Sequence, residues 1–332
     1  MPGGAAILSL PIRLLGRLLE GAARQGGGLL AVSIFAGLLL PPLASALRDV
    51  VTPTVALLMT LILLRVDFAQ VLSYLRRPLM VAGLLAWLLL ACPLLMYALV
   101  RAAGLATGMA TGMATGLEGA LGAALVIMAT GCAATSSPAF ARLVGLDGEI
   151  ALVASLLSTL LVPFTAPPLA LGLLGIDLSL SVAGLMGRLA LVVGLPLVVS
   201  LAIRRLAGPA RLQRCGRAVD GAVVLLVVLY GFGVMDGVLA RLIAEPGFVL
   251  GGILLAFAGS AGLNLLTALA LAPAGRGLAL SAGLLSGNRN MALYLAVLPA
   301  STDSRILLFF ALCQFPLFLS PFLLRPLYRR IA

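Results

Sequence analysis

The sequence has no histidine and no lysine. Without histidine no side chain has an ordinary pKa near neutrality, which excludes Ser-His-Asp catalysis and histidine-based metal sites. Charged residues make up only 10% and aromatic residues 5% of the 332 residues. A soluble domain is about one quarter charged, so this chain cannot coat itself with a solvated surface. The four cysteines, Cys92, Cys132, Cys215 and Cys313, show neither metal-ligand spacing nor a pairing pattern. Three of them lie in apolar runs, where a thiol acts as a small hydrophobe. A soluble enzyme, a disulfide-framed secreted domain and a disordered chain are thereby excluded, and no cofactor is expected.

What the chain has instead is apolar length. Hydrophobic residues are 62% of the sequence and the mean hydropathy is +1.20. At roughly 20 residues per crossing, that fills about ten membrane spans. Apolar runs bounded by Arg, Asp, Pro or Gly fall at about 28–47, 51–66, 79–100, 119–144, 149–174, 179–203, 217–240, 247–272, 277–299 and 305–327. Residues 1–27 stand apart. Ile7, Leu10, Leu14, Leu15, Leu18 and Leu19 form a stripe with Arg13, Arg17, Glu20 and Arg24 largely off it, which predicts a helix lying on the bilayer surface.

All 22 basic residues are arginine, and their placement predicts orientation. With the N-terminus inside, 16 fall in cytoplasmic segments, four (Arg48, Arg101, Arg241, Arg305) outside, and Arg188 and Arg289 within segments. That asymmetry predicts an even number of crossings with both termini cytoplasmic, in a bacterial inner membrane. It also accounts for the +11 net charge through anionic lipid, so no nucleic-acid partner is implied. Ten crossings divide into two oppositely oriented fives, 28–174 and 175–332, joined near residues 175–178. Such inverted repeats are the usual build of secondary transporters. The near-repeat of Ala-Thr-Gly-Met between Ala106 and Gly116 reads as a low-complexity external loop.

Two polar clusters interrupt the apolar runs. In segment four, Thr130-Gly131-Cys132-Ala133-Ala134-Thr135-Ser136-Ser137 leads into Pro138, which lacks a helical donor. In segment nine, Ser286-Gly287-Asn288-Arg289-Asn290 occupies the matching place of the second half. Helices broken at corresponding positions point to a transport site, with Pro138 and Gly287 as the breakers. Arg289 cannot discard its proton, and placing it near mid-bilayer costs roughly 2.5–3.5 kcal/mol. No carboxylate is central in any segment. Its charge is therefore expected to meet Asp236, if that residue lies deep, or else backbone carbonyls and a bound anion. Half-helix N-termini, with unpaired N–H groups, would favour the same anion. Thr135, Ser136, Ser137, Asn288, Arg289 and Asn290 are the candidate cargo contacts, whereas Asn264 and Gln314 read as interhelical hydrogen-bonding groups.

These residues resemble the bile acid:sodium symporter family. The likeness runs through Gly131 to Pro168, with Leu146-Asp147 and Leu157-Ser158-Thr159-Leu160 before Pro163, and through Ser286 to Leu293. It extends to Gly37-Leu38-Leu39-Leu40-Pro41-Pro42 and Leu64-Arg65-Val66-Asp67-Phe68. The resemblance implies a core domain (79–174 and 247–327), a panel domain (28–66 and 179–240), and segments four and nine unwound and crossed. It places Thr135, Ser136 and Asn290 at the cargo and Ser137 and Ser155 among sodium ligands. Departures from the family pattern are pointed. Pro138 replaces an asparagine, Ala151 a serine, Leu285 the glutamate shared by both ion sites, and Arg289 a glutamine. The glutamine of segment three has no counterpart near Trp87 and Leu88. The expectation is an all-α, ten-helix secondary transporter of a small organic anion working by alternating access, with weak or no sodium dependence. Alternatives are a non-transporting sensor or scaffold that keeps the fold, and a cation/proton antiporter, which would want a titratable acid at the crossing.

Overall fold

The computed structural model describes residues 26–66, 68–103, 117–174, 181–299 and 301–331, with Leu19 and Gly21. Nearly all of the expected surface helix at 1–27, the Ala106–Gly116 repeat and the join at 175–178 lie outside the described residues. The chain begins with α1 (Gly26–Leu39), α2 (Pro41–Arg48), α3 (Val51–Arg65), α4 (Phe68–Tyr74) and α5 (Pro78–Ala86). A π-helical turn at Trp87–Ala91 leads into α6 (Cys92–Ala102), followed by α7 (Leu117–Thr130), α8 (Ser137–Val144) and α9 (Gly148–Leu174). Next come α10 (Val182–Ala207), α11 (Pro209–Arg214), α12 (Gly216–Val234), α13 (Val238–Ala244) and α14 (Pro246–Ala270). The last are α15 (Arg276–Gly287), α16 (Ala292–Val297), α17 (Ser304–Leu312) and α18 (Gln314–Ile331).

Among the described residues, five helices are long and apolar enough to cross a membrane: Pro78–Ala102, Gly148–Leu174, Val182–Ala207, Gly216–Ala244 and Pro246–Ala270. The bent pairs Pro41–Arg48 with Val51–Arg65, and Ser304–Ser320 with Phe322–Ile331, raise the number to 7 if each is one span. These helices fit an integral membrane protein. Segment 28–47, expected as one crossing, is divided instead. A residue before proline is pushed out of the helical region, and Leu40 before Pro41 has φ −120 and ψ 66. The helix ahead of it stops at 14 residues. The same rule sets where α5 and α14 begin, at Pro78 after Arg77 (φ −112) and Pro246 after Glu245 (φ −134).

Two compact units divide the chain, Met1–Val66 with Gly194–Leu239, and Asp67–Val193 with Ala240–Ala332. In the first, α12 packs on α1, α2 and α3. Glycines permit the approach: a Cβ on Gly37 would lie 2.9 Å from Phe232 Cα, and one on Gly233 2.8 Å from the Leu47 carbonyl oxygen. In a membrane such small-residue contacts do much of the work that hydrophobic burial does in water. Polar ties sit at the ends. Arg204 donates to the Leu64 and Val66 carbonyls at 3.0 and 2.7 Å, closing the C-terminus of α3. Arg65 pairs with Asp220 at 2.7 Å and Arg48 with Asp236 at 2.9 Å.

In the second unit, α14 and α15 lie closely side by side. Gly283 and Gly287, four residues apart, line the contact. Added Cβ atoms would fall 2.7 Å from the Asn264 carbonyl oxygen and 2.6 Å from that of Ser260. Asn264 makes the expected interhelical bond, accepting from the Tyr328 hydroxyl at 2.8 Å. Gln314 reaches only the Phe310 carbonyl one turn back, at 3.3 Å.

Candidate functional site

Segment four leaves its helix after Thr130 and re-enters at Ser137, and segment nine leaves after Gly287 and re-enters at Ala292. The two non-helical stretches meet in an antiparallel bridge between Ala133 and Arg289. Ala134 N–H donates to the Asn288 carbonyl at 2.8 Å, and Asn290 N–H donates to the Cys132 carbonyl at 2.9 Å. Ala133 N–H finds Ser158 Oγ on α9 at 3.2 Å. Broken backbone deep in an apolar protein must have its polar groups satisfied by protein, and here each break supplies partners for the other.

Arg289 lies at the centre of this bridge and is only 3% exposed. Its Nε donates to the Ser286 carbonyl at 2.8 Å, and its Nη1 donates to the Leu88 and Gly131 carbonyls, both at 2.9 Å. Of the partners considered for it, backbone carbonyls are what it meets, while Asp236 pairs with Arg48. Ser286 is in the last turn of α15, and Gly131 follows directly on α7. A helix C-terminus carries about −0.5 of an elementary charge. Two such ends on one guanidinium offset about its whole charge without any carboxylate. Nη2 has no hydrogen-bond partner in the protein.

The remaining candidates are distributed around this centre. Asn288 and Asn290 flank Arg289 in the bridge and are both buried. Asn290 Oδ1 accepts from Ala292 N–H at 3.2 Å and opens α16. Asn288 Nδ2 and Ser137 Oγ are buried without a partner. Thr135 and Ser136 are half-buried. Ser155 turns its hydroxyl back onto the Leu152 carbonyl of its own helix at 3.1 Å. Pro138 occupies the first turn of α8, where its missing donor costs little. Gly287 is the last helical residue of α15, placed there by its approach to Ser260, whose hydroxyl donates to the Gly287 carbonyl at 2.7 Å. The anion-favouring N–H groups expected at the start of α8 are largely spoken for. Ser137 N–H donates to the Ala134 carbonyl, Pro138 has none, and Ala139 and Phe140 share the Ser136 carbonyl.

Several contributors were not expected from the sequence. Leu88 acts through its carbonyl alone, in the π-helical turn. Tyr294 on α16 hydrogen-bonds Thr130 at the end of α7, joining the two broken segments a second time. Thr130 also donates to the Ile127 carbonyl at 2.7 Å. Outside the apolar segments, the Tyr74 hydroxyl donates to Glu149 at 3.3 Å and Asp147 at 3.5 Å. Burial first, then these two carboxylates, push its phenol up from 10.0 to about 12. Among the described residues no group of three or more Cys, Asp or Glu side chains could hold a metal ion. No protein-family model and no curated protein matches this sequence.

Proposed function

We propose that this chain is a secondary transporter of a small organic anion, working by alternating access, in which Arg289 takes the electrostatic place of a bound sodium ion. The observation that carries the proposal is the paired break with a buried guanidinium on three carbonyls. Carbonyl oxygens at helix C-termini are the ligands a hard monovalent cation seeks where discontinuous helices cross. A side chain that fills them permanently removes the need for the ion. Leu285, where the resembled family carries an ion-binding glutamate, agrees with this, because an added carboxylate would be redundant.

An anionic cargo is favoured by what remains. Arg289 Nη2 and Asn288 Nδ2 are buried donors without protein acceptors. Neither the stretch Thr130–Pro138 nor Leu285–Ala292 contains an acidic residue to compete for them. By the same token a cation/proton antiporter lacks its titratable acid. The test is uptake of candidate organic anions into liposomes holding purified protein, with sodium replaced by choline or potassium. Saturable uptake unchanged by the replacement is the expected result. Uptake that needs sodium would refute the substitution, and absence of saturable uptake for any anion would favour the scaffold alternative.

A further inference from the structure

The third carbonyl on Arg289 has a specific origin. In an α-helix the Leu88 oxygen would accept the N–H of Cys92, four residues on. In the π-helical turn that N–H goes instead to the Trp87 oxygen. The next N–H in the wider register would come from position 93, and residue 93 is proline, which has none. Leu88 O is thus left without a donor from its own helix, and Arg289 Nη1 supplies one. The turn is also pinned at both ends. Trp87 Nε1 donates to Thr267 Oγ1 on α14 at 2.9 Å, and the Cys92 thiol donates to Ser286 Oγ on α15 at 3.5 Å. Ser286 O is freed in the same manner, since the Asn290 N–H that would reach it goes to Cys132 O.

We infer that the π turn and Pro93 present the Leu88 carbonyl as the third wall of a cation cradle, completed by Gly131 O and Ser286 O, whose occupant is the chain's own guanidinium. Pro93 is a positioning residue for that charge. Cut back to alanine at position 289, the cradle takes up a free guanidinium-type monocation. The inference rests on the counter-charge role of Arg289 but not on transport. Its readout is melting temperature, so it stands or falls whether or not any cargo moves.

Purified wild type and Arg289→Ala are melted in detergent with and without millimolar methylguanidinium, and with urea as the uncharged planar control. Methylguanidinium should raise the variant's melting temperature by several degrees and leave wild type unmoved, with urea doing neither. No rise, or an equal rise in wild type or with urea, would overturn the cradle. A second comparison covers a poorly folded alanine variant by using Arg289→Gln as the background. Pro93→Ala restores an N–H for Leu88 O, so it should stabilise the Arg289 variants by at least about 2 °C more than it stabilises wild type, where that oxygen already has a donor. A proline acting only through helix propensity would shift all backgrounds equally, and that result would remove Pro93 from the site.

Discussion

Replacing Arg289 by methionine keeps the length of the side chain and removes every donor. Three charge-assisted hydrogen bonds are lost, to Ser286 O, Leu88 O and Gly131 O. At about 1.5–3 kcal/mol each, they amount to about 4.5–9 kcal/mol. Against this stands the relief of no longer burying a guanidinium, about 2.5–3.5 kcal/mol on an insertion scale. The difference, about 1–6.5 kcal/mol, is a loss on the order of 10 °C in melting temperature near the middle of that range. Lysine should fall between methionine and arginine, because an ammonium keeps the charge but cannot fork to carbonyls on three separate segments. Thermal unfolding of the purified variants in one detergent reads all three. A methionine variant melting within a degree of wild type, or above it, would refute the reasoning, for it would mean that the carbonyls never depended on the guanidinium.

Gly287→Ala should destabilise by about 1–3 kcal/mol through overpacking, since its Cβ would sit 2.6 Å from the Ser260 carbonyl oxygen. Gly83→Ala, with nothing within 4 Å of the added carbon, is the control and should be neutral or stabilising on the same melting assay. Tyr294→Phe removes the tie to Thr130 and should cost about 1 kcal/mol, and equal melting of variant and wild type would count against it. Tyr74 has a phenol that holds its proton more tightly folded than unfolded, so its contribution is intact below pH 10 and disappears toward pH 12. Wild type should therefore lose melting temperature more steeply than Tyr74→Phe across that interval, and parallel curves would refute the assignment.

The paired break was legible where side chains betray it. Asn288, Arg289 and Asn290 stand out in an apolar run because each carries polar atoms that must be answered, and Thr130 to Pro138 stands out for the same reason. Leu88 was not legible, because a carbonyl that does the binding leaves no mark on residue type. Pro93, five positions on, was its one visible trace. Tyr294 was hidden differently, as an aromatic among apolar neighbours whose hydroxyl matters only once Thr130 is beside it. Pro41 and Pro42 were in view, yet segment 28–47 was expected to cross as one helix because hydropathy sums over a window and is blind to one missing donor. The pairing of Ala133 with Arg289 depended on the bridge register, which no single sequence displays.

A counter-charge that is covalently part of the chain is released to neither compartment. Under the transport proposal, each turnover then carries only the cargo's own charge across the bilayer. A potential of 100 mV, negative inside, biases a monovalent anion outward by about 2.3 kcal/mol, roughly fifty-fold in concentration ratio. Under that proposal, tethering the cation makes voltage a driving force, and with equal anion concentrations on both sides it favours export. Flux in liposomes clamped with a potassium ionophore should follow the imposed voltage, and indifference to it would mean that a second ion travels along.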